Sequence, residues 1–266
     1  MSSTLRAPLR VTVLGSGTSV GVPAIGCDCA VCHSSDPRDR RTRPSILIQV
    51  NGMSILVDTS TDLRTQALDR NIRRVDAILF THNHADHVFG LDDVRRFNHM
   101  QRSSISCFAD AATVSSLRRM FSYAFDPTVQ PGGGLPQLTL FSVAGSFCLA
   151  GVEIVPVPLM HGRLPILGFR IGSFAYLTDC NQIPDGSWPL LSADGGVHTV
   201  IIDALRQRPH PTHFSVSEAI EAVRRMGAER AYLTHICHDL PHAETCAQLP
   251  SGVELAYDGL VLEVDD

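Results

Sequence analysis

Long apolar runs and an excess of basic charge are what this chain of 266 residues lacks. No window approaches the roughly 18 uninterrupted apolar residues that a membrane helix needs. The start, residues 1–10, holds no apolar core of signal-peptide length before a strand-like stretch begins. Both absences lead to the expectation of a cytoplasmic protein without a membrane partner. With 22 Lys+Arg against 27 Asp+Glu, the formal charge is −5, which argues against a broad basic face that tracks nucleic acid. There is no internal repeat and no low-complexity segment, and 20 Gly with 16 Pro show no collagen-like period. A hydrophobic fraction of 44% with 18% charged residues excludes a disordered chain. Nothing forces a split of this length, so the expectation is one domain over residues 1–266.

Eight cysteines do not suggest disulfides here. Three crowd into Cys27-Asp28-Cys29-Ala30-Val31-Cys32, and Cys107, Cys148, Cys180, Cys237 and Cys246 are scattered. Thiols so close together without a leader segment fit metal better than oxidation, and the scattered five read as small buried hydrophobes.

Short β-rich runs recur along the chain. Residues 10–14, 45–50, 54–58, 76–81, 152–158, 167–171, 174–178, 197–203, 230–234 and 260–264 read as strands. Asn51-Gly52 joins two of them with the strongest two-residue hairpin signal. Helices are expected over 111–121 and 215–226, the second opened by Ser215 or Ser217, with Glu218 in its first turn and Gly227 at its end. Residues 130–134, rich in glycine, read as a loop. Strands in both halves with interspersed helices suggest two packed sheets with helices outside.

The most informative segment is Phe80-Thr81-His82-Asn83-His84-Ala85-Asp86-His87. At a strand end, residues two apart point the same way, so His82 and His84 converge, while Asp86 and His87 come from the turn that follows. Imidazole with carboxylate suits divalent zinc, manganese or iron. Four ionisable side chains in six positions are costly unless they are solvated or metallated. His161, Asp179 and His235 each follow an apolar run, where a sheet edge delivers them toward a common cleft.

His-x-His-x-Asp-His, then a lone His, an Asp and another His, all at strand ends, resembles the metallo-β-lactamase-fold hydrolases. The resemblance implies an α+β four-layer αββα sandwich. The N-terminal part, Leu14-Gly15-Ser16-Gly17-Thr18-Ser19, Gly21-Val22-Pro23, the Cys27-x-Cys29-x-x-Cys32 cluster and Arg38-Asp39-Arg40-Arg41, resembles one branch in particular. That branch contains the phosphoribosyl cyclic phosphodiesterase of bacterial phosphonate breakdown. Carried over by position, the resemblance implies one divalent metal (Mn or Zn) held by His82, His84 and His161, and a second by Asp86, His87 and His235, with Asp179 bridging. Asp58 matches the family's earlier Asp and reads as a partner that fixes a ligand imidazole. The three thiols lack a fourth donor for a closed zinc site. The branch implies His238 for that role, which makes one structural zinc from Cys27, Cys29, Cys32 and His238, with Cys237 as a competing donor.

Two metals a few ångströms apart acidify a bridging water, bind an anionic oxygen and stabilise charge on the attacked centre. That suits phosphodiesters, β-lactams, thioesters and lactones alike. A phosphodiester's leaving alkoxide favours a proton donor, and the resemblance places a general-acid His at His213, with His210 as rival and Asp203 as an orienting group. Arg95, Arg96, Arg206 and Arg208 are candidates for phosphate oxygens. The expected function is a dinuclear phosphodiesterase on a small, cyclic phosphodiester, with bridging-hydroxide attack, Asp86 and His213 at the chemistry, and a homodimer as an open expectation. The alternatives are a tRNA 3′-processing endonuclease, which needs an RNA-gripping arm not found here, a thioesterase or lactonase of the fold, and a non-catalytic cofactor-biosynthesis accessory protein.

Overall fold

The computed structural model describes residues 8–126, 128, 134–149 and 151–265. The N-terminal segment 1–7 and residues 130–133 of the glycine-rich tract lie outside the described residues. The strands, in chain order, are β1 (Leu9–Gly15), β2 (Ser45–Val50), β3 (Met53–Val57), β4 (Ala77–Leu79), β5 (Ile105–Ala109), β6 (Leu138–Ser142) and β7 (Phe147–Leu149). They continue as β8 (Val152–His161), β9 (Leu164–Ile171), β10 (Phe174–Leu177), β11 (Thr199–Asp203), β12 (Arg230–Thr234), β13 (Val253–Leu255) and β14 (Val261–Val264). They form two seven-stranded sheets, ordered β14-β1-β2-β3-β4-β5-β6 and β13-β12-β11-β10-β9-β8-β7.

Strand parity explains the layers. In β1, β2 and β3 the residues Val11, Val13, Ile46, Ile48 and Ile55 face Phe169, Tyr176 and Ile201 of the second sheet. Their neighbours Leu47 and Leu56 face the other way, onto Leu63, Leu91, Phe97 and Leu117 of the helical layer. The second sheet does the same, with Val200, Ile202 and Leu233 packed on Val216, Ala219 and Val223 of helix Val216–Met226. Both faces of both sheets are therefore covered, which is the expected αββα sandwich. Helix Val216–Met226 begins at Ser215, not Ser217: Ser215 and Glu218 form a reciprocal capping box, and Gly227 ends the helix at φ 75°.

The site is positioned by two parallel runs. β3-β4-β5-β6 are parallel in one sheet and β10-β11-β12-β13 in the other. Crevices outside the carboxyl ends of such strands are where open α/β sheets place ligands. Several boundaries shift by one to three residues, among them the start of β9 at Leu164, the start of β11 at Thr199 and the end of β8. Residues 156 and 158 are prolines, yet β8 runs on to His161. β7 covers only Val152–Ile154 of it, so both prolines turn their missing N–H to an unpaired edge. The expected strands omit β5, β6, β7 and β13; β13 is only three residues long, too short for its alternation to stand out.

Candidate metal centre

Asp58 follows β3, His82 and His84 follow β4, and Asp86 and His87 sit in the short helix Ala85–Val88. His161 ends β8, Asp179 lies just beyond β10, and His235 directly follows β12. Asp58, Asp179 and His235 adopt left-handed backbone, with φ of 62°, 57° and 60°. Non-glycine residues pay for that conformation, and it turns each side chain sharply off its strand end into the cleft.

Asp179 is the hub. Its Oδ2 lies 3.2 Å from His87 Nε2 and 3.7 Å from His82 Nε2, and its Oδ1 lies 3.1 Å from His235 Nε2. Asp86 Oδ2 is 3.4 Å from His87 Nε2 and 3.6 Å from His235 Nε2. The donor atoms of Asp86, His87, Asp179 and His235 all fall within 4.8 Å of one another, as do those of His82, His84 and Asp179. His161 joins the second set, its ring 5.1 Å from that of His84, and its own tight group is with Asp179 and His213. All seven sequence-predicted positions are thus brought together around one carboxylate. His82, His87, Asp179 and His235 are buried, whereas His84 is exposed and His161 half-buried, so the centre opens on that side.

The donor chemistry fits divalent cations. The Nε2 atoms of His82, His87 and His235 are buried and have no hydrogen-bond partner, an arrangement that costs free energy unless something else fills it. The opposite ring nitrogens of His82 and His87 are held. Asp58 accepts from the Thr81 N–H at 2.8 Å, from the Thr81 hydroxyl at 2.8 Å and from His87 Nδ1 at 2.7 Å. With its proton committed to Asp58, the Thr81 hydroxyl accepts from His82 Nδ1 at 3.0 Å. His161 Nδ1 donates to the Thr212 carbonyl at 2.8 Å. In each ring the Nδ1–H leaves the Nε2 lone pair free, as a ligand requires. Thr81 and Thr212 carry no motif that marks them in the sequence.

Burial pushes His82 far below its ordinary value, reinforced by the neighbouring His87. Burial alone would also raise Asp179, but the imidazoles of His235 and His87 reverse this and hold it well below the usual carboxylate range. His87 is driven up, against burial, by Asp179, Asp58 and Asp86. Ionised Asp179 and Asp86 beside the neutral ring of His82 make the pocket an electrostatic sink for cations, and the same carboxylates draw positive charge onto His87.

His213 lies against this group. Its ring stacks on His235 at 4.6 Å and meets His161 at 4.7 Å. Its Nδ1 donates to Asp203 Oδ2 at 3.1 Å, and the same oxygen accepts the Phe214 N–H. His210 sits one ring further out, 5.1 Å from His213, with Nδ1 turned to the Thr212 N–H and hydroxyl. Arg95 pairs with Asp92 and Arg208 with Asp239, and Arg96 lines a cavity with Leu63 and Met100.

A second cluster joins the two loops. His238 Nδ1 lies 3.1 Å from Cys27 Sγ and 3.5 Å from both Cys29 Sγ and Cys32 Sγ. The Cys32 N–H points at Cys29 Sγ and lowers that thiol to about 6, despite some burial. Cys237 stands apart from this group and takes the Asp239 N–H on its sulfur. Buried Arg41 fastens the same loop, donating to the carbonyls of Cys237 at 3.0 Å and Leu240 at 2.7 Å.

Two sheets with this turn of histidines and aspartates at their carboxyl ends define a protein of the metallo-β-lactamase fold. The β-lactamase superfamily domain matches residues 53–236, a span that holds all seven positions, and the chain belongs to that family. A crystal structure of a diphosphatase from the PhnP family matches with TM-score 0.89 and 45% identity over 97% of both chains. That agrees with the branch read from residues 14–41. Octanoyltransferase of Porphyromonas gingivalis is 39% identical over 261 residues, 97% of this chain but 52% of that protein, so the chain spans about half the length of that relative. Ribonuclease Z of Mycolicibacterium gilvum is 28% identical over 264 residues, 85% of this chain and 84% of that protein. The short form of human tRNase Z, 19% identical with TM-score 0.66 over 95% of this chain and 98% of that one, shares the fold. Among the described residues no helix is long and apolar enough to cross a membrane.

Proposed function

We propose that the chain is a metal-dependent hydrolase of small phosphodiesters. The observation that carries this reading is the convergence of His82, His84, Asp86, His87, His161 and His235 on Asp179, with three buried imidazole nitrogens left without partners. In this reading His82, His84 and His161 hold one divalent ion and Asp86, His87 and His235 the other, with Asp179 between them. Zinc and manganese both suit such donors. Bound there, the cations supply Lewis acidity toward a phosphoryl oxygen and acidify water.

The chain's own groups do the rest. Asp58 and Thr81 keep His87 and His82 in the ligand tautomer. Asp203 holds His213 by Nδ1 and leaves its Nε2 free at the open side. From Nε2 it would pass a proton to the departing alkoxide, whose high basicity makes that proton worth about 10²–10⁴ in rate. Cys27, Cys29, Cys32 and His238 would hold a structural zinc that ties the N-terminal loop to the loop carrying His235. The cytoplasm suits both the reduced thiols and the substrate class.

The kinship with a PhnP-family diphosphatase supports phosphorus as the attacked centre and adds diphosphates to the substrates worth testing. The test is turnover on a panel of small cyclic and linear phosphodiesters, diphosphates, a thioester and a lactone, with the protein loaded with manganese or zinc. Phosphodiester turnover is expected to dominate. Activity confined to the thioester or lactone would refute the reading. His213→Ala should leave metal content unchanged and slow substrates with alkoxide leaving groups about 10²-fold or more, while a p-nitrophenolate ester is affected far less.

A further inference from the structure

A cavity of about 470 Å³ lies on the outer face of the first sheet, lined by Arg10, Arg70, Arg73 and Arg74 together with Thr12, Gln49 and Ser54. It sits at the opposite end from the metal centre: Arg73 and Arg74 precede β4, whereas His82 follows it, and Gly52 precedes β3, whereas Asp58 follows it. In a chain of net charge −5 whose 22 Lys+Arg residues are all arginine, no acidic and no aromatic side chain among the described residues lines this cavity.

The four arginines are exposed; each makes a polar contact, and together they are only partly neutralised. Arg74 pairs with Asp76 at 2.7 Å and Arg10 with Glu263 at 3.3 Å. Arg73 donates to Asn71 Oδ1 at 2.7 Å, and Arg70 to the Asp258 carbonyl at 3.3 Å, both neutral partners. The Asp258 carboxylate is turned away and spent on Ser16 and Thr42. Arg70 lies flat on the Gly259 turn, where φ is 97° and a Cβ would come within 2.3 Å of Nη1. Four guanidiniums thus face two carboxylates, and among the described residues two of the four have no charged partner.

The geometry points to an anion site for a chain of two or three phosphates. Fixed guanidinium forks recognise phosphate oxygens bidentately. The cavity has the volume of a small-ligand site. The lack of any aromatic platform means that a base would gain nothing by stacking, so recognition rests on the phosphates. The net negative charge of the chain disfavours a long nucleic acid strand. Inorganic polyphosphate and nucleoside polyphosphates share this chemistry.

The test is calorimetric titration of the metal-loaded protein with inorganic tripolyphosphate, and separately with adenosine triphosphate, at two salt concentrations. Binding of tripolyphosphate at the metal centre is common to wild type and to Arg70→Gln/Arg73→Gln, so the difference between them isolates this cavity. The double variant is expected to weaken or lose one binding event by about tenfold or more and to flatten its salt dependence. Its turnover on a small phosphodiester should be unchanged, which also confirms folding. Arg73→Lys, which keeps the charge but not the fork, should fall between the two. Equal affinities for both probes assign the phosphate chain alone, and markedly tighter adenosine triphosphate assigns a nucleotide as the source. Identical isotherms for wild type and the double variant, or tighter binding of single-stranded RNA than of tripolyphosphate, would overturn the proposal.

Discussion

Asp58→Asn is nearly isosteric, yet the geometry around it predicts more damage to metal binding than its size suggests. Asp58 Oδ1 accepts the Thr81 N–H at 2.8 Å, so in the variant the amide oxygen must stay there. The amide nitrogen then replaces Oδ2, which faces both the Thr81 hydroxyl at 2.8 Å and His87 Nδ1 at 2.7 Å. It can only donate to them. His87 Nδ1 must become an acceptor, moving its proton to Nε2, where it points into the metal centre. The Thr81 hydroxyl, no longer drawn to Asp58, turns its proton on His82 Nδ1 at 3.0 Å and imposes the same reversal there. One substitution therefore sets two ligands, one in each half of the centre, in the wrong tautomer. Loss of such a partner typically lowers metal affinity about 10- to 100-fold, or roughly 1.4–2.7 kcal/mol. Asp58→Ala leaves both rings free to choose their tautomer, so it should bind metal at least as well as Asp58→Asn despite the cavity it creates. Competition with a chromogenic chelator measures this, with circular dichroism as the check on folding. If Asp58→Asn matches wild type within about twofold, or clearly outperforms Asp58→Ala, the tautomer relay is wrong.

Three further outcomes follow from the same contacts. Cys29→Ser, measured with metal in excess, should hold one metal ion fewer of about three per chain and melt at a lower temperature; element analysis and thermal unfolding decide this. Gly90→Ala places a Cβ 2.0 Å from the Ser60 carbonyl oxygen and 2.9 Å from Leu63 Cβ, just beyond the helix of Asp86 and His87. Overpacking of that kind costs about 3 kcal/mol, hence roughly 6–12 °C in thermal unfolding, and an unchanged melting temperature would contradict the packing described. His242 is held down at about 4, against an ordinary 6.5, by burial and by Arg38 and Arg41, with Asp36 and Asp39 opposing. The unfolded chain therefore takes up this proton first, so its contribution to stability is complete above about pH 6.5 and disappears as the pH falls toward 4. Unfolding of His242→Gln should depend less steeply on pH across that window, and parallel curves would remove the residue from the linkage.

Most of the candidate site was legible because it is local. His82, His84, Asp86 and His87 occupy one turn, and the strand before it is apolar throughout, so their convergence follows from spacing alone. His161, Asp179 and His235 needed a family resemblance to join them, since nothing in an isolated apolar run says which other strand end it meets. Of the four strands that escaped notice, β6 and β7 carry exposed or half-buried residues, so the alternation that marks a strand is blurred. Thr81 was invisible for a different reason. Its role depends on a hydroxyl proton shared among three side chains from two strand ends, and no residue type announces that. The two prolines in β8 misled because proline ends a central strand but not an edge, and edge status is a property of the finished sheet.

The loop of residues 210–213 is registered to the metal centre at two points. Thr212 supplies the carbonyl that holds His161, and the next residue, His213, is held by Asp203, whose other oxygen lies 3.8 Å from His235 Nδ1. Neither that oxygen nor His235 Nδ1 has a hydrogen-bond partner, so His235 is the one buried imidazole of the centre without a firm second anchor. Its backbone is restrained instead, by the Ile236 N–H to Ser16 and by the Arg41 clasp on Cys237 and Leu240, both near the Cys27, Cys29, Cys32 and His238 cluster. A structural ion in that cluster would thus act most strongly on His235. Loss of the cluster in Cys29→Ser should weaken metal binding at the Asp86, His87 and His235 set before it reaches the His82, His84 and His161 set. Stepwise metal titration of that variant separates the two, and equal weakening of both would show that the cluster stabilises the fold as a whole without favouring one ligand.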